Sequence, residues 1–248
     1  TFPGDRHAEY NEGVFVGYRY YDKKEMAVRY PFGHGLSYTT FEYSDIKLSD
    51  TAVGDDDILT VNVVITNTGN CAGKEIVQLY VADKSGFAVR PEKELKDFIK
   101  IELQPGERKT VTFRLDKRAF SYYNEELGDW YAPNGKYDIM IASSSRDIRL
   151  TAEVTHKTAV KLPFVATENT VFGEFMDYAE GKATIDLLFS KVAKGLLGGD
   201  HFEPEAVRSM IGSMPLRQIR SFGGISDELL HQAVDMLNKD FGGFKAQM

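Results

Sequence analysis

Between about Thr40 and Thr155, apolar residues recur at every second position in short runs. Val61, Val63 and Ile65 alternate with Thr60, Asn62, Val64 and Thr66. Val77, Leu79 and Val81 alternate with Ile76, Gln78, Tyr80 and Ala82, and Val111, Phe113 and Leu115 with Thr110, Thr112, Arg114 and Asp116. A period of two gives an extended chain one apolar face, the signature of a half-buried antiparallel strand. Turn chemistry separates the runs: Thr68-Gly69-Asn70, Gln104-Pro105-Gly106-Glu107 and Ala132-Pro133-Asn134-Gly135. Further strands are predicted at 41–48, 95–103, 120–124, 137–142 and 148–154. Seven or eight short strands with regular turn signals predict a β-sandwich.

The flanks have other patterns. Residues 1–39 hold aromatic-rich strand candidates at 14–21 and 26–30, joined by the polar turn Asp22-Lys23-Lys24. So short a stretch cannot bury a core alone, and is expected to be loosely held or docked on the β-rich region after it. After Lys161-Leu162-Pro163 the period becomes helical: Phe172, Phe175, Met176 and Ala179, then Ile185, Leu188, Phe189, Val192 and Leu196. Gly198-Gly199-Asp200 interrupts it, and Pro204 suits the first turn of a short helix over 205–211. Ser226 is placed to cap a final helix, with Asp227 and Glu228 at its positive end and Leu229, Leu230, Ala233 and Leu237 on its buried side. That helix is expected to stop near Phe241-Gly242-Gly243, and the short coda 244–248 reads as a chain end.

Two groups of residues carry a family resemblance. Tyr10-Asn11-Glu12-Gly13, Val16-Gly17-Tyr18-Arg19-Tyr20-Tyr21-Asp22 and Pro31-Phe32-Gly33-His34-Gly35-Leu36-Ser37-Tyr38 form the first. The second comprises Val64-Ile65-Thr66-Asn67-Thr68-Gly69, Val77-Gln78-Leu79-Tyr80-Val81, Arg90-Pro91-Glu92-Lys93-Glu94-Leu95-Lys96, Leu103-Gln104-Pro105-Gly106-Glu107 and Gly135-Lys136-Tyr137-Asp138 leading into Ser143-Ser144-Ser145. Singly, Asn67-Thr68-Gly69 or Pro105-Gly106-Glu107 is a common turn; as an ordered set these segments resemble family 3 glycoside hydrolases, the β-glucosidase and β-xylosidase class. The first group resembles the end of that family's α/β sandwich domain and the second its fibronectin type III-like domain. Asn169 to Glu174, Met214-Pro215-Leu216-Arg217 and Ser221-Phe222-Gly223-Gly224 resemble the helical extension of many bacterial members. The implied fold is mainly β: the C-terminal end of an α/β sandwich with its linker at 1–39, a fibronectin type III-like antiparallel β-sandwich at 40–160, and an α-helical extension at 161–248.

The resemblance implies that the nucleophilic Asp comes from a TIM-like barrel and the acid/base Glu from the α/β sandwich, both upstream. Hydrolysis with retention needs two carboxyl groups about 5 Å apart, and neither matching position exists here. No catalytic residue is therefore expected, substrate-binding residues stay unknown, and the chain alone is expected to be inactive. Thr1 is not an initiator Met, so further chain is expected upstream.

Composition narrows the partners. Apolar residues make up 42% and charged residues 27% of the 248, ordinary for a globular protein. The net charge of −7 and the interspersed Lys and Arg argue against nucleic acid or an anionic membrane, and no apolar run approaches the roughly 20 residues of a span. Cys71 is the one cysteine, so no intrachain disulfide forms; a lone thiol fits a reducing compartment, and a cytoplasmic location is expected. No metal or cofactor is expected: Asp55-Asp56-Asp57 lacks a calcium-loop pattern and reads as a solvated turn.

Other tempting residues have plain readings. Glu12 is expected to satisfy local backbone or pair with Arg19, and His34, between glycines, to serve a tight linker turn. Gly198-Gly199 and Gly223-Gly224 read as helix terminators. Tyr18, Tyr20, Tyr21, Tyr122, Tyr123, Trp130 and Tyr131 read as cross-strand packing, with Trp130 closing a sandwich edge, rather than as a sugar platform. The expected role is structural: bracing upstream catalytic domains of a retaining β-glucosidase-like enzyme, reaching its β-glycoside substrate through them, and offering surface for a homo-oligomer. The alternatives are a carbohydrate-binding or adhesion module, and a permuted enzyme whose tail begins another domain.

Overall fold

The computed structural model describes residues 11–125, 127–162, 165–174, 212–218, 220–221 and 226–240. The chain divides into two compact units, Thr1–Val160 and Lys161–Met248.

In the first unit, β3 (Leu59–Asn67) lies between β1 (Phe41–Leu48) and β6 (Arg108–Leu115) in a three-stranded antiparallel sheet. A second sheet runs β2-β10-β9-β4-β5, built from β2 (Ala52–Val53), β4 (Gly73–Asp83), β5 (Glu94–Leu103), β9 (Gly135–Ser144) and β10 (Asp147–His156). Its neighbours are antiparallel except the two-residue β2, which is parallel to β10. The predicted alternation holds along β3, where Leu59, Val61, Val63 and Ile65 are fully buried. They share one core with Phe113 and Leu115 of β6, Val77 and Leu79 of β4, and Ile139 and Ile141 of β9. The chain therefore folds as the mainly β sandwich its periodicity predicts.

Three features of this unit leave no clear periodic trace. A one-turn helix, α2 (Lys117–Phe120), is capped by Asp116, whose side chain accepts from Arg118 N. It drops Ala119 and Phe120 into the core, and Phe120 meets Tyr137 edge-on. The buried Tyr137 hydroxyl donates to Pro133 O at 3.0 Å, closing the corner into β9. Trp130 does not close a sandwich edge. It belongs to a separate ribbon, β7 (Tyr122–Asn124) with β8 (Asp129–Tyr131), in which Tyr123 faces Trp130 and Tyr122 faces Tyr131. The third feature is a bulge in β1: register shifts between Ser44 and Lys47, with Asp45 at φ 56°.

The strands predicted at 14–21 and 26–30 do not form. Residues 18–23 are instead a short helix, α1 (Tyr18–Lys23), and 26–30 is irregular. Aromatic residues favour strands intrinsically, but Tyr18, Tyr21 and Asp22 lie three and four apart and share one helix face. That face docks on the sheet. Tyr18 stacks on Phe32 and meets Tyr80 edge-on, and its hydroxyl accepts from Leu95 N at 2.8 Å. Asp22, 6% exposed, pairs with Lys93 at 3.1 Å and Arg146 at 2.8 Å. Arg146 also donates to Tyr21 O and Met26 O.

Residues 31–33 lie on the outer face of the same sheet, and 34–40 continue as a strap to the end of β3. Ser145 N donates to Phe32 O, and Gln78 Nε2 donates to Gly33 O and Ser143 O. Gly33 is required there: its φ is +78°, and a Cβ would lie 2.3 Å from Gln78 Oε1. This covering explains why β4 buries six successive residues, 77–82. Alternation puts Gln78, Tyr80 and Ala82 on the outer face, and the structure buries them as well.

In the second unit, Val171 bridges Pro215, and short 3-10 turns lie at Phe172–Glu174 and Leu216–Gln218. α3 (Asp227–Asp240) begins where predicted, with Leu229 N donating to the Ser226 hydroxyl. It buries Leu230, Ala233 and Leu237 but not Leu229, which is 45% exposed. Positions 230, 233 and 237 follow three- and four-residue steps, and 229 falls one position off that stripe. Asn238 clamps Ala166, accepting from its N–H and donating to its carbonyl. The helices predicted around 175–196 and 205–211, the glycine pairs at 198–199 and 223–224, and the segment 241–248 lie outside the described residues.

Candidate functional site

A groove of about 850 Å³ opens between the strap and the strands beside it. Tyr43 from β1, Glu75 from β4, and Asp147 and Arg149 from β10 line it, together with His34 and Ser143. Those residues are spread from position 34 to position 149, so no local motif marks them. Only the sheet order brings them together.

Glu75 is the chemically distinctive member. Burial raises its carboxyl above the usual range, and the nearby Arg149 and Ile76 N–H offset this only in part. Burial also pushes the Tyr43 hydroxyl up, with the Glu75 charge adding to the effect. A carboxyl poised toward its neutral form is a candidate general acid. Glycoside hydrolysis with retention needs a second carboxylate about 5 Å away to act as nucleophile. The nearby Asp147 is committed: it accepts from Ser143 Oγ at 2.6 Å and Arg149 Nη2 at 2.7 Å. The groove thus offers a recess in which Asp147 is engaged by Ser143 and Arg149.

The residues singled out from the sequence do not converge on one site. Arg19 pairs with Glu94 at 3.1 Å, not with Glu12, because α1 turns it toward β5. Burial tends to raise the Glu94 carboxyl, but Lys96, Arg90 and Arg19 outweigh it and hold it below the usual range. His34 lines the groove, stacks on Tyr30 and donates its N–H to Pro31 O in a turn. Asp55 accepts from the Thr158 hydroxyl at 2.6 Å and faces Lys117 and His156, while Asp57 accepts from Gly54 N. Cys71 is exposed, its thiol donating to Tyr38 O.

The aromatic set splits in two, around α1 and in the β7–β8 ribbon. Tyr123 and Trp130 meet edge-on, and the Arg118 guanidinium covers the Trp130 ring. Among the described residues, no three His, Cys, Asp or Glu side chains cluster to hold a metal ion, and no helix is long and apolar enough to cross a membrane.

Residues 75–145 match the family model of the fibronectin type III-like domain. Over 241 residues the chain is 45% identical to thermostable beta-glucosidase B of Acetivibrio thermocellus, a match covering 96% of this chain and 32% of that protein. It is also 45% identical over 176 residues to an exo-alpha-(1->6)-L-arabinopyranosidase of Bifidobacterium breve, covering 71% of this chain and 23% of that one. Among solved structures, a GH3 beta-glucosidase of Bifidobacterium adolescentis superposes with a TM-score of 0.66 at 42% identity, over 74% of this chain and 27% of that chain. The chain spans about a third or less of the length of these relatives.

Proposed function

We propose that this chain, a C-terminal portion of a family 3 glycoside hydrolase, braces the catalytic domains of an enzyme that hydrolyses β-glycosides with retention, as a β-glucosidase does. One observation carries the reading: a 45% identical match runs along 96% of this chain yet accounts for only 32% of a beta-glucosidase. The bond-breaking carboxylates belong to the remaining two-thirds, in keeping with a groove whose Asp147 is already paired with Arg149. Sugar choice is set there as well. A beta-glucosidase and an arabinopyranosidase both match this chain at 45% identity, over 241 and 176 residues, so what it shares with both does not separate the two sugars.

The test is to express the upstream portion alone, this chain alone, and both together, and to measure nitrophenol release from an aryl β-glucoside. Activity restored only by the combination supports bracing. Full activity of either piece by itself rules it out. A carbohydrate-binding role for the β7–β8 ribbon finds less support, because Arg118 lies over the Trp130 ring face on which a sugar would stack. Retardation of the chain in affinity electrophoresis on polysaccharide would revive it.

A further inference from the structure

The corner into β9 holds the one Asn-Gly pair in the sequence, Asn134-Gly135. The amide carbon of an asparagine is open to attack by the backbone nitrogen of the next residue. A glycine there shields that nitrogen least and leaves the backbone freest to bring it round. The other seven asparagines all precede residues that carry a Cβ. Among them Asn67, Asn124 and Asn238 also have both ends of their amides bonded.

The Asn134 side chain is arranged for that attack. It is exposed, so water and base reach it. Its Oδ1 accepts from Thr158 N at 2.7 Å, a donor placed where negative charge grows as the carbon is attacked. Its Nδ2, the atom that must leave, has no hydrogen-bond partner among the described residues. Thr158 is itself fixed, its hydroxyl donating to Asp55 Oδ2 at 2.6 Å and accepting from Val160 N.

We infer that Asn134 is a site of spontaneous deamidation, at which the chain acquires a carboxylate with age. The reaction consumes water and releases ammonia. Gly135 N gives its proton to solvent base and bonds to Asn134 Cγ. The Cγ–Nδ2 bond breaks, and Nδ2 takes up a proton and leaves as ammonia. Water then opens the cyclic imide. Attack at Cγ breaks the new bond and leaves aspartate. Attack at the main-chain carbonyl of residue 134 breaks the original peptide bond and leaves isoaspartate, with the chain running through the former side chain.

The two products fit the corner differently. Aspartate keeps the backbone and an oxygen for Thr158 N. Isoaspartate inserts one more carbon between Pro133 and Gly135, and both neighbours are held. The Pro133 carbonyl accepts from the buried Tyr137 hydroxyl at 3.0 Å. Gly135 pairs with His156, and a Cβ on it would lie 2.6 Å from that of Ser85. The added atom therefore costs either that hydrogen bond or the start of the β9–β10 register.

Peptide mapping by mass spectrometry tests this on the 248-residue chain, incubated at mildly alkaline pH beside a synthetic peptide of residues 130–140. Asn134 is expected to gain the mass of amide-to-acid exchange before any other asparagine, at a rate within ~10-fold of the peptide, because an exposed turn opens locally at little cost. An Asn134 amide that survives after the peptide has fully converted overturns the inference, as does earlier conversion of another asparagine. Asn134→Gln requires a larger ring to close and is expected to keep its amide; conversion as fast as in the parent overturns the inference too. A fraction of the aged chain carrying isoaspartate, sorted by isoaspartyl methyltransferase labelling, is expected to melt about 4 °C or more below the parent, with Asn134→Asp melting beside the parent. Equal melting of all three overturns the part assigned to the corner.

Discussion

The Thr39 hydroxyl donates to Asn67 Oδ1 at 2.6 Å, and that bond ties the strap to the end of β3. Asn67 is fully buried and uses both ends of its amide. Nδ2 donates to Cys71 O at 2.9 Å and Leu103 O at 3.0 Å, while Oδ1 also accepts from Gly69 N at 3.1 Å. One side chain therefore joins the strap, the β3–β4 turn and the end of β5.

Replacing Asn67 with Ala strips partners from several buried groups at once. Each unpaired group costs about 1–3 kcal/mol, and partial relaxation leaves an expected loss of roughly 3 kcal/mol. Urea unfolding of the variant against the parent chain measures it. A change under about 0.5 kcal/mol, the range of an ordinary surface substitution, contradicts this assignment.

Arg90 is a second hub of the sandwich. Its side chain, 8% exposed, pairs with Asp83 at 3.1 Å and Glu94 at 2.8 Å and donates to Phe120 O and Ser121 O. Arg90→Met leaves the Asp83 carboxylate, 4% exposed, without its cation. A buried ion pair broken on one side costs about 3–5 kcal/mol. Arg90→Met with Asp83→Asn is expected to recover part of that loss, and calorimetry of the two variants decides.

His156 makes stability depend on pH. Its ring is fully buried against Phe120 and Tyr137. Burial lowers its pKa below the ordinary 6.5, with the Asp55 charge opposing, and the Pro133 backbone, Lys117 and Asp57 adding smaller effects. The folded state thus binds its proton less readily than the unfolded chain. Stability is complete above pH 6.5, and falls as pH drops below that value toward the folded pKa. His156→Phe keeps an aromatic ring in the core and removes the titration. Its unfolding free energy is expected to be flatter than the parent's between about pH 5 and 6.5, and parallel curves would exclude His156 as the source.

How far this arrangement was legible depends on the period of each segment. The run 59–67 alternates without fault, and 41–48 coincides with β1 to the residue, because one face of each strand meets the core. Segment 14–30 misleads because aromatic content suits either a strand or a docked helix, and the surface that Tyr18 meets lies sixty residues on, at Tyr80. β2 and β8 are too short to show a period. The groove was invisible for a different reason: Glu75 and Asp147 are ordinary strand residues until the sheet order aligns them.

The α1 latch is electrostatic as well as aromatic. Asp22→Asn removes the charge shared by Lys93 and Arg146, and is expected to loosen 18–30 without unfolding the sandwich. Trypsin cleavage after Lys23, Lys24 or Arg29 should accelerate by roughly tenfold, equivalent to about 1.4 kcal/mol of local opening. Intact-mass analysis over time follows it. Unchanged cleavage would show that Tyr18 and Phe32 hold the helix unaided.

The bulge at Asp45 protects one border of the three-stranded sheet. β1 borders its sheet, and a regular bordering strand offers a template on which a stranger's backbone can grow. The left-handed residue at Asp45 breaks that template midway, and Arg108, Lys109 and Arg114 place cations along β6 at the opposite border. Backbone pairing of a further strand onto this sheet is thereby disfavoured at both of its borders.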